Sequence, residues 1–320
     1  MPQGSGASRP FAAKRPGGNR TKKGLAKSVY ELIQVSESSY YIQCPAKIGV
    51  IRTGGDEVCL IDSGSDRDAG KKVKKILDSR GWRLRAIYNT HSHADHIGGN
   101  AYLQAQTGCS VYAPGIERCF TRHPVLEPAF LYGGCPPKEL RHKFLMAQPS
   151  DAQPLTEDVL PPGMRAIPLP GHSWDMVGFR TGDDVVYLAD CLSSESTLEK
   201  YRISYLTDVA AYLETLEAAA AMKARLFIPA HAEAAEDIAP LARKNIGNVH
   251  EIADRIVGLC GEPIAFDTLL KRLFDAYGLS MTFEQYALAG STVRSYLTWL
   301  TEQGRVRAGF AENALKWSAV

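Results

Sequence analysis

The segment Thr90-His91-Ser92-His93-Ala94-Asp95-His96 places three imidazoles and a carboxylate within six residues. Packing needs no such cluster. Imidazole nitrogens with a carboxylate oxygen are the usual donors for zinc, iron or manganese, and a mixed set that leaves one position open is the pattern of a catalytic site rather than a structural one. The cluster follows the apolar run Leu84–Tyr88 and precedes Gly98-Gly99, so it reads as a loop at the end of a strand. Side chains at alternate positions of an extended chain share a direction, which would let His91, His93 and Asp95 converge while His96 turns to a neighbouring point. One loop can then serve two metals.

Three further residues stand at the ends of strand-like runs: His172 in Leu169-Pro170-Gly171-His172-Ser173, Asp190 in Tyr187-Leu188-Ala189-Asp190, and His231 in Phe227-Ile228-Pro229-Ala230-His231. The series His-x-His-x-Asp-His, then His, Asp and His in that order, resembles the metallo-β-lactamase-fold hydrolase superfamily over roughly residues 29 to 232. The resemblance implies two Zn²⁺ per chain, with iron or manganese as alternatives. It implies that His91, His93 and His172 hold one metal, that Asp95, His96 and His231 hold the second, and that Asp190 bridges them. It also puts the Asp62-Ser63-Gly64 turn behind the metal loop, where Asp62 would orient an imidazole by hydrogen bonding. The other reading of Asp62 is a simple turn residue. Ser173, beside His172, is expected to orient its loop.

The chemistry this implies is hydrolysis, with a hydroxide bridging two cations attacking a thioester, a lactone or another small acyl ester, and Asp95 as the proton acceptor and later donor. Asp190 argues against β-lactamases, which lack a bridging aspartate at that place, and His93 argues against the flavodiiron reductases. The alternative is a zinc phosphodiesterase or single-stranded RNA endoribonuclease, with the basic tail, Lys138, Arg141, Lys143 and the aromatics around Tyr132 holding backbone and bases. A non-catalytic binding module is the third reading. The complete donor set opposes it.

These donors need a scaffold. Val29–Gln43 and Ile48–Ile61 read as hairpin strands. Ser65 is expected to cap a helix to Arg80 that Gly81 stops, and a further helix should run from about Asp95 to Gly108. Strands are expected at Met164–Leu169, Met176–Arg180, Val185–Ala189 and Arg225–Ile228, with a helix from Thr207. Hairpins followed by alternating strands and helices give an α/β fold, and the resemblance names it the αββα sandwich. Residues 123–150, an irregular aromatic and basic stretch, read as a substrate lid containing Tyr132, Lys138 and Arg141, or as a packing insertion.

Beyond His231 the pattern becomes helical. Expected are a stripe from Val249 to Cys260, a helix capped by Asp267, a short one from Thr282 to Tyr286, one capped by Ser291, and a hairpin around Glu312-Asn313. This order resembles a winged helix. From residue 262 onward six bases face six acids. That balance favours a packing, homodimer or lid role over a nucleic-acid face, which would be net positive.

The 320 residues, 45% hydrophobic, suit a large domain with a small companion: a catalytic domain over 28–245 and the winged-helix-like unit over 246–320. Residues 1–27 carry seven bases and no acid, leaving the rest of the chain at −5 out of a total of +2. This Gly/Pro-rich stretch is expected to be a disordered tail, with a transit segment or polyanion-binding arm as its functional readings. Seven scattered cysteines form no paired motif, which fits a reducing compartment. With no apolar run long enough for a membrane helix, the expected location is cytoplasmic, or the mitochondrial matrix if the tail is a transit segment.

Overall fold

A computed structural model describes residues 30–320, so the basic tail expected over 1–27 lies outside the described residues. The first sheet has seven strands hydrogen-bonded in chain order: β1 (Glu31–Gln34), β2 (Ser39–Gln43), β3 (Ile48–Gly54), β4 (Glu57–Ile61), β5 (Arg83–Tyr88), β6 (Ser110–Ala113) and β7 (Ala152–Pro154). The first four pair antiparallel and the remainder parallel. Connection length explains the switch. A tight turn with Gly55 at φ 54° joins β3 to β4, whereas helix α1 (Arg67–Ser79) carries the chain back to start β5 alongside β4. Asp66, not Ser65, caps α1: its carboxylate accepts from Ala69 N at 2.9 Å, and a negative charge suits the positive end of the helix.

The single helix expected from Asp95 to Gly108 is two, α2 (Ala94–Ile97) and α3 (Asn100–Thr107). The break falls at Gly98-Gly99, whose backbone lies directly on the turn after β4. A Cβ at Gly98 would collide with the Ser65 carbonyl, and one at Gly99 with that of Ser63. Ser63 N donates to His96 O at 2.8 Å and Gly99 N to Gly64 O at 3.1 Å, so the two turns are joined by main-chain bonds. Helices α4 (Glu117–Arg122) and α5 (Leu126–Tyr132) follow, and the stretch 123–150 contains α5 and a 3-10 turn at Lys138–Leu140.

The second sheet is β8 (Arg165–Pro168), β9 (Val177–Arg180), β10 (Val185–Ala189) and β11 (Leu226–Pro229), in the order β11-β10-β9-β8, with β10 and β11 parallel. Between β10 and β11 lie α6 (Glu195–Tyr201) and α7 (Val209–Ala221). Period-two alternation explains the layering. In β4, Cys59 and Ile61 face the second sheet, meeting Phe179, Val185 and Tyr187, while Val58 and Leu60 pack under Val73 and Leu77 of α1. In β10, Val186 and Leu188 turn the other way onto Tyr212 and Leu216 of α7. Both faces of these two strands are buried, giving the αββα sandwich.

The chain ends in α8 (Ala239–Leu259), β12 (Ile264–Ala265), α9 (Phe266–Tyr277), α10 (Phe283–Glu302) and the hairpin β13 (Val306–Ala311) and β14 (Ala314–Ala319). Helices and hairpin follow one another as in the expected winged-helix-like unit. Helix α8 runs unbroken through position 245, and Ile252, Leu270 and Tyr296 share one apolar cluster with Leu169, Leu188 and Phe227 of the sandwich. Asp267 lies in the first turn of α9 without capping it and accepts from Tyr286 Oη at 2.8 Å. The two helices expected from Thr282 and Ser291 are one. Thr282 caps it, and Gly290, which would weaken an isolated helix, instead packs toward Leu270 and Phe266. Among the described residues no helix is long and apolar enough to cross a membrane.

Gly99→Ala is expected to lower stability by about 1–3 kcal/mol, because the added methyl must displace the Ser63 turn. A thermal melt matching that of the parent chain would refute the close approach.

Candidate metal centre

Five strand ends deliver the polar residues to one rim of the sandwich. Asp62, directly after β4, takes φ 63° and is buried. Its carboxylate accepts from Thr90 N and Thr90 Oγ1, each at 2.8 Å, and lies 2.8 Å from His96 Nδ1. Asp62 therefore holds the loop after β5 at both ends. Within that loop the extended alternation expected through Asp95 stops at His93, because His96 N and Ile97 N both donate to His93 O and wind the chain into α2. Asp95 and His96 turn together toward a different point from His91 and His93.

His172 sits in the β8–β9 turn. Gly171 before it has φ 116°, and a Cβ there would strike the Tyr212 backbone of α7. Asp190 follows β10 through Ala189 at φ 50°. His231 follows β11, with its Nδ1 2.9 Å from Pro45 O, while Lys47 Nζ donates to the Ala232 carbonyl. Left-handed residues at Asp62, Gly171 and Ala189 thus aim three of these loops inward.

The side chains meet in two groups. His91 Nε2 and His172 Nε2 each lie 3.0 Å from His93 Nδ1, and Asp190 Oδ2 is 3.4 Å from His172 Nε2. Asp190 Oδ1 is 3.1 Å from His96 Nε2, while His231 Nε2 lies 3.1 Å from Asp95 Oδ2 and 3.3 Å from Asp190 Oδ2. In each group all donor atoms lie within 4.8 Å of one another, and Asp190 belongs to both. Donors of a tetrahedral zinc stand about 3.4 Å apart, given its usual bond lengths.

The outward nitrogens are held from behind: His91 Nδ1 by Thr90 Oγ1 (3.0 Å), His172 Nδ1 by Tyr205 O (3.0 Å), His96 Nδ1 by Asp62 and His231 Nδ1 by Pro45 O. A carbonyl acceptor requires N–H on Nδ1, leaving the Nε2 lone pair of His172 and His231 facing inward, as a metal ligand needs. His96 Nε2 and Asp190 Oδ1 are buried without an aligned hydrogen-bond partner. Unsatisfied buried donors and acceptors are uncommon, and this pair faces the point where a cation would complete both. The donor set fits divalent metal.

Charge divides the cluster in the same way. Burial, reinforced by His96 and His93, pushes His91 well below the usual imidazole range. Burial likewise carries His93 and His172 down to about 4, so all three favour the neutral form that binds metal. Asp190 raises His231 to about 10 against the opposing effect of burial. For His96 burial also opposes, but Asp190, Asp95 and Asp62 hold it well above its ordinary value. Without metal, protons on these two imidazoles compensate the carboxylates.

Sequence reasoning missed three supports. Glu117, buried at the start of α4, accepts from Ser92 N (3.0 Å), Ser92 Oγ (2.6 Å), Ser173 Oγ (2.5 Å) and Asp175 N (3.2 Å), joining the His91–His93 loop to the His172 loop. That bond ties Ser173 to Glu117. Asn245 of α8 accepts from Ser193 N and donates to Ser193 O, both at 3.0 Å, fixing the chain after Asp190. Glu127 of α5 stands 3.7 Å from His93 Nε2. None lies in a motif, and no local signal marks them. Conversely, Tyr132, Lys138 and Arg141 are exposed and do not line the cavity of about 260 Å³ beside His172, Asp190 and His231. Their stretch turns Leu131, Leu140 and Leu145 inward toward Ala287 and Leu288, which leaves its polar residues outside. Cys59 and Cys191 are buried and unpaired, as packing residues are.

A family model described as the metallo-beta-lactamase superfamily matches residues 41–231. Hydroxyacylglutathione hydrolase of Methylococcus capsulatus is 52% identical over 46 residues, 14% of this chain and 18% of the relative. That of Nitrobacter hamburgensis is 30% identical over 126 residues, 38% of this chain and 39% of the relative. The chain thus matches well under half the length of these curated relatives. A beta-lactamase domain protein from Burkholderia ambifaria superposes with a TM-score of 0.70 at 16% identity, over 92% of this chain and 94% of its own. A metallo-beta-lactamase family protein from Thermus thermophilus does so at 0.67 and 17%, over 90% and 97%. At such identities the likeness establishes the fold.

Two expectations follow. Asp62→Ala should weaken metal retention roughly 10–100-fold in a chelator competition, since His96 loses its orienting carboxylate. Unaltered retention would remove that role. Raised folded values for His96 and His231 stabilise the metal-free protein fully below an unfolded value near 6.5, and this is lost as pH rises, through about 10 for His231. Metal competes with the same protons, so the melting-temperature gap between metal-loaded and chelated protein should widen from roughly pH 6 to 9. A gap that narrows contradicts this charge balance.

Proposed function

We propose that this chain, which belongs to the metallo-β-lactamase superfamily, is a metal-dependent hydrolase that holds two divalent cations, zinc by donor type, and cleaves a thioester, lactone or other small acyl ester. The observation that carries this is Asp190, whose two oxygens lie within 3.4 Å of imidazoles from both groups. His91, His93 and His172 would hold one ion, and Asp95, His96 and His231 the other. When bound, the pair makes water nucleophilic near neutral pH and offsets the charge that develops on the substrate oxygen.

The chain's own residues supply the rest. Asp95 is the most open of the seven, with 41% of its side chain exposed, against 10% for Asp190 and none for His96. Although burial opposes it, His96 and His231 hold Asp95 ionised. That is the form able to take a proton from the attacking water and return it to the leaving group. Asp62, Glu117 and Asn245 keep the loops from shifting as charge moves, which is where pre-organisation lowers a barrier.

Two points support an acyl substrate over a phosphodiester. The curated relatives are named hydroxyacylglutathione hydrolases. Among the described residues, no lysine or arginine lines the cavity beside the cluster to add to the metals' hold on a phosphate.

Purified protein should carry close to two metals per chain, and His91→Ala or Asp190→Ala should lose metal and hydrolysis together. Metal-free protein that cleaved the same ester equally well would refute the proposal. Asp95→Asn should retain some metal yet lower kcat by about 10²–10⁴-fold; full turnover would dismiss Asp95 as the proton carrier. Raising salt from roughly 50 to 200 mM should leave neutral-ester cleavage nearly constant, where RNA affinity would fall steeply.

A further inference from the structure

The cavity beside Asp190 has a second wall that the metal cluster does not explain. Opposite His172, Asp190 and His231, helix α10 presents Gln285, Leu288, Ala289 and Thr292, and the segment after α6 adds Ile203 and Tyr205. Among the described residues, and apart from Asp190 itself, no aspartate, glutamate, lysine or arginine lines this space of about 260 Å³.

Most of its polar groups are already satisfied within the protein. The hydroxyls of Ser193 and Ser204 bond each other at 3.1 Å. Thr292 Oγ1 accepts from Leu206 N and donates to Leu288 O, both at 3.2 Å. Tyr212 Oη donates to Asn245 at 3.3 Å. The space therefore offers an occupant mainly carbon surface, with the Gln285 amide at one side.

The wall is fixed to the metal cluster. Thr292 and Ser295 of α10 bond the main chain at Leu206 and Thr207, and the Tyr205 carbonyl one residue earlier holds His172 Nδ1 at 3.0 Å. An occupant touching Leu288 thus stands at a set position relative to the donors. An anion at the Leu288 end, away from the metal donors, would be stripped of water with no lysine or arginine from the pocket walls to offset it. A neutral chain incurs no such penalty.

We infer that this cavity is an acyl pocket: it takes the uncharged, largely apolar acyl chain of the scissile ester or thioester, and helix α10 of the C-terminal unit is its specificity wall. The inference rests on the hydrolase reading and deepens it. Any charged carrier, such as a peptide thiol with its carboxylates, would remain outside the cavity, so the enzyme selects by acyl chain. The pocket is incomplete without α10.

The test uses full-length, zinc-loaded protein and p-nitrophenyl esters of acetyl, butyryl, hexanoyl and octanoyl chains, with the succinyl ester as a four-carbon chain ending in a carboxylate. For the parent chain, kcat/KM should rise about fourfold per methylene until the cavity is full, and the succinyl ester should be at least ~10-fold poorer than the butyryl ester. Leu288→Ala should raise the octanoyl-to-acetyl ratio of kcat/KM at least ~10-fold, and Ala289→Leu should lower it by a similar factor. Circular dichroism and thermal melts establish that each variant is folded, and the succinyl comparison needs no variant. Folded variants with an unchanged chain-length profile, or a preference for the succinyl ester, overturn the acyl pocket while leaving the hydrolase intact. If the zinc-loaded parent cleaves none of the esters, nor the acetyl and octanoyl thioesters of N-acetylcysteamine, the hydrolase reading fails and the acyl pocket with it.

Discussion

Three carboxylates and five imidazoles crowd one rim of this sandwich, and their charges must balance for the chain to fold there at all. Asp62 is almost fully buried and Asp190 is 10% exposed at its side chain. Isolated buried carboxylates are costly, so each needs a nearby positive charge or several donors. Asp62 obtains three hydrogen bonds, and Asp190 faces His96, His172 and His231. Protons can supply the compensating charge only on two imidazoles. Divalent cations can supply it at every donor while keeping His91, His93 and His172 neutral, so one arrangement serves both folding and catalysis.

Such a balance requires that the loops do not drift. Parallel strands provide stiff supports, and β4, β5, β10 and β11 all end at the same rim, where open α/β sheets commonly carry their sites. The loops are also tied to each other. Asp62 joins the turn after β4 to the loop after β5, and Glu117 joins that loop to the β8–β9 turn. Asn245 secures the chain after Asp190. The left-handed backbone at Asp62 and Ala189 is unfavourable for side-chain-bearing residues and persists because these ties determine it from both sides. Mutating a tie should therefore disturb metal geometry even though the tie touches no substrate.

The C-terminal unit is part of the same construction. Helix α8 belongs to the shared apolar cluster and carries Asn245, while α10 closes the cavity that opens beside Asp190. From residue 262 onward the unit's bases and acids are balanced in number, and α10 is the part that lines the cavity. The order of helices and hairpin resembles a winged helix, yet the face turned toward the site is the side of a helix rather than the wing.

Read alone, the sequence brought forward the residues that could do chemistry, because three imidazoles and a carboxylate in one loop have no packing explanation, and resemblance added His172, Asp190 and His231 at strand ends. It also suggested the two-sheet architecture, since hairpin strands precede strands that alternate with helices, and runs such as Val58–Ile61 and Val185–Leu188 are apolar at every position, as strands buried on both faces are. It misjudged local detail where neighbours far along the chain prevail: the break at Gly98-Gly99, imposed by the Ser63 turn, and the unbroken α10, whose Gly290 packs toward α9. The meeting of Glu117 with Ser173, of Asn245 with Ser193, and of Leu288 with the space beside Asp190 was decided by tertiary structure alone. Those partners lie 52 to 98 residues apart, and no local periodicity or capping rule records which distant side chains a folded core brings into contact.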